Sequence, residues 1–132
     1  MHNPVIAILA AGLAGWVFGA VWYGVFGKPW QRAQGINPDD CKDKKMPLNL
    51  LLVSFLAALV MSATIYYLLA SMGMVGIGPS ALFGLTIGVG LIMVSLLVNN
   101  LFQQRHFTLT VIDGGHWALA LTIEAAVIAL LA

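Results

Sequence analysis

Charged side chains are scarce in this chain. Only six Lys and Arg and five Asp and Glu occur among 132 residues, or 8%, where a soluble domain carries about 25%. Hydrophobic residues make up 61% of the chain, and the mean hydropathy is +0.94. These values exclude an ordinary soluble domain and predict an integral membrane protein. The few basic residues form no extended surface, so a nucleic-acid partner is excluded as well.

Cysteine is equally scarce, since Cys41 is the single thiol. One cysteine can close no disulfide within the chain and can build no cysteine metal site. The sequence also has no H-E-x-x-H pair, no phosphate-binding glycine loop and no nucleophile elbow. We therefore expect no bound metal, no cofactor and no enzymatic activity.

Four apolar segments have the length of about 20 residues that a bilayer core requires. They cover residues 4–26, 48–72, 79–101 and 109–131. None alternates with the period of two that a barrel strand shows, so helices are the expected spanning structures. The prediction is an all-α integral membrane four-helix bundle, in which residues 1–132 form a single transmembrane domain.

The loop at 27–47 is the longest polar segment. It contains the stretch from Lys28 to Lys45, in which eight of the eleven charged residues lie. Asn37 followed by Pro38 is typical of a helix N-cap and first position, which predicts a short amphipathic helix here. The lysines that follow are candidates for contact with anionic lipid at the membrane surface, namely Lys42, Lys44 and Lys45.

The basic residues also predict the orientation. With four spans, the first and third links lie on one side of the membrane, and together they hold all six Lys and Arg residues. Because positively charged links stay in the cytoplasm, we expect loop 27–47 to be cytoplasmic and both termini to lie outside the cell membrane.

Small residues recur at intervals of four in two segments. The first segment contains Gly15 and Gly19 in such a row, and the third contains Gly84 and Gly88. Small residues at this spacing let helices approach closely in lipid. The two rows either pack on each other or form the interface of a homo-oligomer, and the sequence leaves both alternatives open.

Two motifs with polar residues stand out, one at the end of the first apolar segment and one near the start of the last. The first is GAVWYGVFGKPW at Gly19–Trp30, and the second is Ile112-Asp113-Gly114-Gly115-His116. In these elements and in its four segments the chain resembles domain-of-unknown-function family 1761. The resemblance implies a small multi-pass membrane protein and carries no activity.

The last segment contains two carboxyl groups, Asp113 and Glu124, on nearly the same helix face. A charge at mid-bilayer costs about 2.5–3.5 kcal/mol, so these groups should face protein or water. With His116 they are either part of a proton or cation path or structural groups. In the structural alternative, Asp113 caps its helix and is held by Arg105 or neighbouring amides, and Glu124 bonds across a helix interface.

Further polar and aromatic side chains are expected at the depth of Asp113. The third segment contributes Asn99, Asn100 and Gln103, and the first motif contributes Trp22, Tyr23 and Trp30. We predict that they share one pocket with Asp113 and His116 near the cytoplasmic surface. The alternative is that they are ordinary polar helix ends and an aromatic belt.

Two functions remain open from the sequence. One is a small homo-oligomeric transporter or channel-like protein, whose pathway is the polar face of the last segment. The other is a non-catalytic membrane scaffold that binds lipid or another protein through the basic loop.

Overall fold

The computed structural model describes residues 3–41 and 44–132. The described residues form four long helices: α1 (Pro4–Ala33), α2 (Leu48–Ser71), α3 (Ile77–Phe102) and α4 (Phe107–Leu131). Each is long and apolar enough to cross a membrane, and the described part of the chain contains no strand. The predicted all-α architecture with four membrane-length helices is confirmed.

Helix α4 is the central helix of the bundle. It packs against α1, α2 and α3, and α1 also packs against α2. Helix α4 has the lowest mean hydropathy of the four, 1.6 against 2.1 to 2.5. Because lipid cannot satisfy polar side chains, the least apolar helix is enclosed by the three that are more apolar. The outer faces of α1, α2 and α3 consist largely of exposed Leu, Ile and Val side chains.

Both rows of small residues pack against α4. A Cβ atom added to Gly88 would lie 2.5 Å from the Cα atom of Ala118, and one added to Gly84 would overlap the backbone of Leu121. On α1, Gly15 and Gly19 face side chains of α4 in the same way. The rows therefore meet neither each other nor a second subunit, because the central helix lies between them.

Helix α3 contains a π-helical segment at Gly88–Met93. Such a segment inserts one extra residue into a turn and so rotates the face that follows. Gly84, before the segment, and Gly88, at its start, face α4. Met93, at its end, packs against Gly114, and Asn100, after it, is buried. Regular spacing from Gly88 would instead have turned Asn99 inward.

Helix α1 is longer than its apolar segment. It continues through Pro29 to Ala33, where the sequence predicted a loop from residue 27. Its 30 residues span about 45 Å, against about 30 Å for a hydrocarbon core. The C-terminal turns of α1 therefore extend beyond the apolar layer.

The predicted amphipathic helix is a single 3-10 turn, Pro38–Asp40, in the described part of this loop. The side chain of Asn37 caps it by accepting a hydrogen bond from the Asp39 amide at 3.1 Å. Residues 44–47 are not helical, and Lys42 lies outside the described residues. A segment this short gains too few hydrogen bonds to offset the cost of helix nucleation.

Candidate functional site

Three titratable side chains of α4 face α1 in successive layers. Asp113 lies beside Tyr23, His116 lies against Gly19, and Glu124 lies against Gly15. We refer to Asp113, His116 and Glu124 as the α4 row. Because α1 and α4 run in opposite directions, each later member of the row contacts an earlier residue of α1.

Asp113 accepts two hydrogen bonds from α1. The Tyr23 hydroxyl donates to its Oδ1 atom at 2.5 Å, and the Trp30 indole Nε1 donates to the same oxygen at 3.0 Å. Trp22 donates to the backbone carbonyl of Ile112 at 3.0 Å. These bonds fix the C-terminal part of α1 against α4, and Trp30 reaches Asp113 because α1 stays helical past Pro29.

His116 lies among aromatic rings. Its ring is parallel to that of Phe18, with centroids 6.1 Å apart, and lies 5.1 Å from the ring of Tyr23. Gly19 makes room for it, since a Cβ there would lie 2.8 Å from the His116 Nε2 atom. The buried Nδ1 atom has no hydrogen-bond partner among the described residues. The imidazole is thus held by packing alone, with one nitrogen free to accept or donate.

Glu124 is the most deeply buried member of the row, with 2% of its surface exposed. It packs on Gly15, where a Cβ atom would lie 2.5 Å from Oε1 and 3.0 Å from Cγ. Its buried Oε2 atom has no hydrogen-bond partner in the described part of the chain. A buried carboxyl group without a partner is costly in any protein interior.

The polar pocket predicted around Asp113 is not formed as expected. Asn99, Gln103 and Arg105 are exposed, and the hydrogen bonds to Asp113 come from α1. Asn100 is buried, but its Nδ2 atom donates to the Thr110 hydroxyl at 3.0 Å. The π-helical segment explains the change, because it turns Asn100 inward in place of Asn99.

Asp113 also does not cap α4. The helix begins at Phe107, six residues earlier, and His106 is its N-cap. The His106 Nδ1 atom accepts a hydrogen bond from the Thr108 amide at 3.0 Å. The role predicted for Asp113 at the helix end, with Arg105 as its partner, is therefore wrong.

Sequence reasoning missed the aromatic neighbours of His116. Phe18 and Trp117 enclose the imidazole, with the Trp117 ring centroid 4.5 Å from that of His116. The position of Phe18, four residues before Trp22 on one helix face, was a usable signal.

On the loop, Lys44 and Lys45 are exposed, as lipid contact would require. No three His, Cys, Asp or Glu side chains of residues 3–41 and 44–132 are grouped so that they could hold a metal ion.

The chain belongs to the family described as protein of unknown function (DUF1761), whose model matches residues 6–129. This match includes both motifs and confirms the resemblance seen in the sequence. No curated protein and no solved structure matches the chain. Family and fold together indicate a multi-pass membrane protein.

Proposed function

We propose that this member of the DUF1761 family carries protons across the membrane along the α4 row. The observation that supports the proposal is the succession of Asp113, His116 and Glu124 on the side of α4 that faces α1. The eleven residues from Asp113 to Glu124 correspond to about 16 Å, roughly half of a hydrocarbon core. Ionisable side chains at such depth are costly, and chains of Asp, Glu and His are the groups that proton relays use.

Close packing favours a proton over a hydrated cation as the transported species. Glu124 contacts Gly15 so closely that a single added carbon atom would overlap its carboxyl group. A hydrated ion needs an open passage, whereas a proton moves by exchange between neighbouring groups. His116 and Glu124 are eight positions apart, about 12 Å along the helix axis, and we propose that water molecules complete the path there.

The proposal includes an orientation. Lys28, Arg32, Lys44, Lys45 and Arg105 all belong to the first and third links or the helix ends beside them. By the positive-inside rule, we propose that this end faces the cytoplasm and that both termini lie outside the cell membrane. Asp113 would then exchange protons on the cytoplasmic side, and Glu124 would lie nearer the outer side.

We also propose that the protein acts as a homo-oligomer. A Cβ atom added to Gly24 on α1 or to Gly90 on α3 would meet no atom within 4 Å. Exposed glycines on lipid-facing helix surfaces permit the close approach of another helix. Light scattering in detergent would measure the mass of the assembly; a monomer that persists at all concentrations would contradict this part of the proposal.

Proton flux in liposomes tests the main proposal. The purified protein is reconstituted into liposomes that contain a pH-sensitive dye, and a potassium diffusion potential drives proton entry. Wild-type protein should acidify the lumen faster than the leak of protein-free liposomes. Glu124→Gln keeps the shape of the side chain but cannot release a proton, so its rate should fall to that leak. Asp39→Asn, at an exposed loop carboxylate, is the matched control and should keep the wild-type rate.

Two outcomes would overturn the proposal. The first is a wild-type rate no higher than that of protein-free liposomes. The second is a Glu124→Gln variant that keeps the full rate while its elution volume and unfolding temperature match those of the wild type.

Exposure of Lys44 and Lys45 favours a second candidate function, a non-catalytic scaffold that binds anionic lipid. Each basic residue near an anionic surface contributes about 1 kcal/mol. Replacing both by Gln should then weaken the binding of protein-containing liposomes to a second, phosphatidylserine membrane by about 30-fold. Proton flux should not change. Unchanged binding would exclude this candidate.

A further inference from the structure

A polar cavity lies where the C-terminal end of α1 meets the link between α3 and α4. Its volume is about 270 Å³. It is lined by Ala33, Gln34, Gln104, Arg105, His106 and Leu109. None of the α4 row belongs to this lining, so the cavity is separate from the proposed proton path.

Hydrogen-bond donors dominate the polar part of this lining. Arg105 brings five N–H donors, and Gln34 and Gln104 bring an amide group each. His106 accepts the Thr108 amide through Nδ1, so its neutral form carries the ring proton on Nε2, as a further donor. The lining contains no carboxylate. This composition selects an acceptor with negative charge.

One of these donors lacks an acceptor. The Gln34 Nε2 atom is buried and has no hydrogen-bond partner among the described residues. Buried amide groups in folded proteins are almost always paired, and an unpaired one needs an explanation. A rotation of the Gln34 side chain toward the cavity that it lines would bring this donor to a bound acceptor group.

The size and position of the cavity narrow the choice of anion. Small-molecule pockets usually enclose about 300–1,000 Å³, so 270 Å³ has room for one phosphate group with its substituent but not for a nucleotide. Helix α1 has 30 residues, more than a hydrocarbon core requires, and its last turns contain Lys28 and Arg32, so we expect Gln34 at the depth of lipid headgroups. The guanidinium fork of Arg105 matches two phosphate oxygens.

The link that carries Arg105 has a defined conformation. Gln104 adopts a left-handed backbone conformation with φ 56°. The Arg105 amide then donates to the Asn100 carbonyl at 2.9 Å, which closes the end of α3. Because Asn100 is also bonded to Thr110 on α4, the backbone of Arg105 is fixed relative to both helices.

We propose that this cavity binds a phosphate group, held by Arg105 and by N–H donors of Gln34, Gln104 and His106. The group arrives either as the headgroup of an anionic phospholipid or as free inorganic phosphate.

Binding measurements with two soluble probes test the proposal. The purified protein, in an uncharged detergent, is titrated with dihexanoyl phosphatidic acid and, separately, with inorganic phosphate. Arg105→Gln should weaken binding by roughly tenfold to a hundredfold, since it removes charged hydrogen bonds. Gln34→Leu should weaken it less. Lys28→Gln removes an equal charge from an exposed position outside the cavity and should change binding little.

The two probes separate the two sources. Binding of the lipid probe without competition by inorganic phosphate assigns the site to a headgroup, and equal binding of both probes assigns it to free phosphate. If Arg105→Gln weakens binding no more than Lys28→Gln does, the proposal is wrong. Should Arg105→Gln fail to fold, Arg105→Lys and Gln34→Leu take its place, and full affinity in both would overturn the site.

Discussion

The Tyr23 hydroxyl donates a hydrogen bond to Oδ1 of Asp113 at 2.5 Å, although the two residues are 90 positions apart. Trp30 donates to the same oxygen at 3.0 Å. Both donors belong to the first sequence motif, and the acceptor belongs to the second. The two motifs are therefore the two halves of one contact between α1 and α4.

Replacing Tyr23 by Phe should destabilise the bundle. The change removes one of two hydrogen bonds to a carboxyl group and leaves the packing of the ring in place. A hydrogen bond to a charged group contributes about 1.5–3 kcal/mol to the free energy of unfolding. The measurement is the unfolding midpoint of the detergent-solubilised protein. Tyr67→Phe on α2, where the side chain is 68% exposed, is the control and should not shift this midpoint.

Gly15→Ala should displace Glu124. The new Cβ atom would lie 2.5 Å from Oε1, and the end of the glutamate side chain can move to relieve the overlap. We expect a loss of about 1–2 kcal/mol in stability, together with slower proton flux. Gly27→Ala is the matched control on the same helix, because its Cβ would meet nothing within 4 Å.

A double-mutant cycle sharpens this prediction. Combined with Glu124→Ala, the Gly15→Ala change has no carboxyl group to displace, so it should cost little. We expect a coupling free energy of about 1 kcal/mol between the two positions. Strictly additive effects would contradict the contact.

Gly84→Ala should be more harmful than Gly15→Ala. Here the added Cβ would overlap the backbone of Leu121 and lie 3.0 Å from the Cβ atom of Ala125. Backbone atoms of the central helix cannot move aside, so the helices themselves must separate. We expect a loss of about 3 kcal/mol in unfolding measurements, whereas Gly78→Ala on the same helix, with open space around it, should be neutral. Equal stability of the two variants would argue against the packing of α3 on α4.

The single thiol provides a test of orientation. Cys41 is partly exposed in the loop between α1 and α2. A membrane-impermeant maleimide should label it in inverted vesicles and leave it unlabelled in intact cells. A C41S variant that carries A132C should show the reverse pattern. Labelling of Cys41 from outside intact cells would reverse the proposed orientation.

Local signals were sufficient for the helices. Long apolar segments with few charges can only be spanning helices in lipid, so composition predicted all four. The charge of Asp113 and Glu124 likewise required α4 to face protein. The C-terminal end of α1 was less predictable, because Lys28 and Pro29 are typical of a loop. The hydrogen bond that Trp30 donates there goes to Asp113, which is distant in the sequence.

The predicted partners of Asp113 show where sequence reasoning fails. Both Asn99 and Asn100 were expected beside Asp113, but after the π-helical segment at Gly88–Met93 only Asn100 is turned inward, and it donates to Thr110. No local pattern in α3 indicates that segment. It becomes visible only in the packed structure, where Gly88 and Met93 both contact α4.

The sequence by itself determined that this is a membrane protein, how many of its helices have membrane-spanning length and which side chains cannot face lipid. Each of these properties depends on the free energy of transferring individual residues from water to lipid. Which helix lies at the centre, and which α1 residue each member of the α4 row meets, depends on close packing between distant segments. Only the tertiary structure decided those pairings, since a glycine such as Gly15 acquires its role from the glutamate that packs against it.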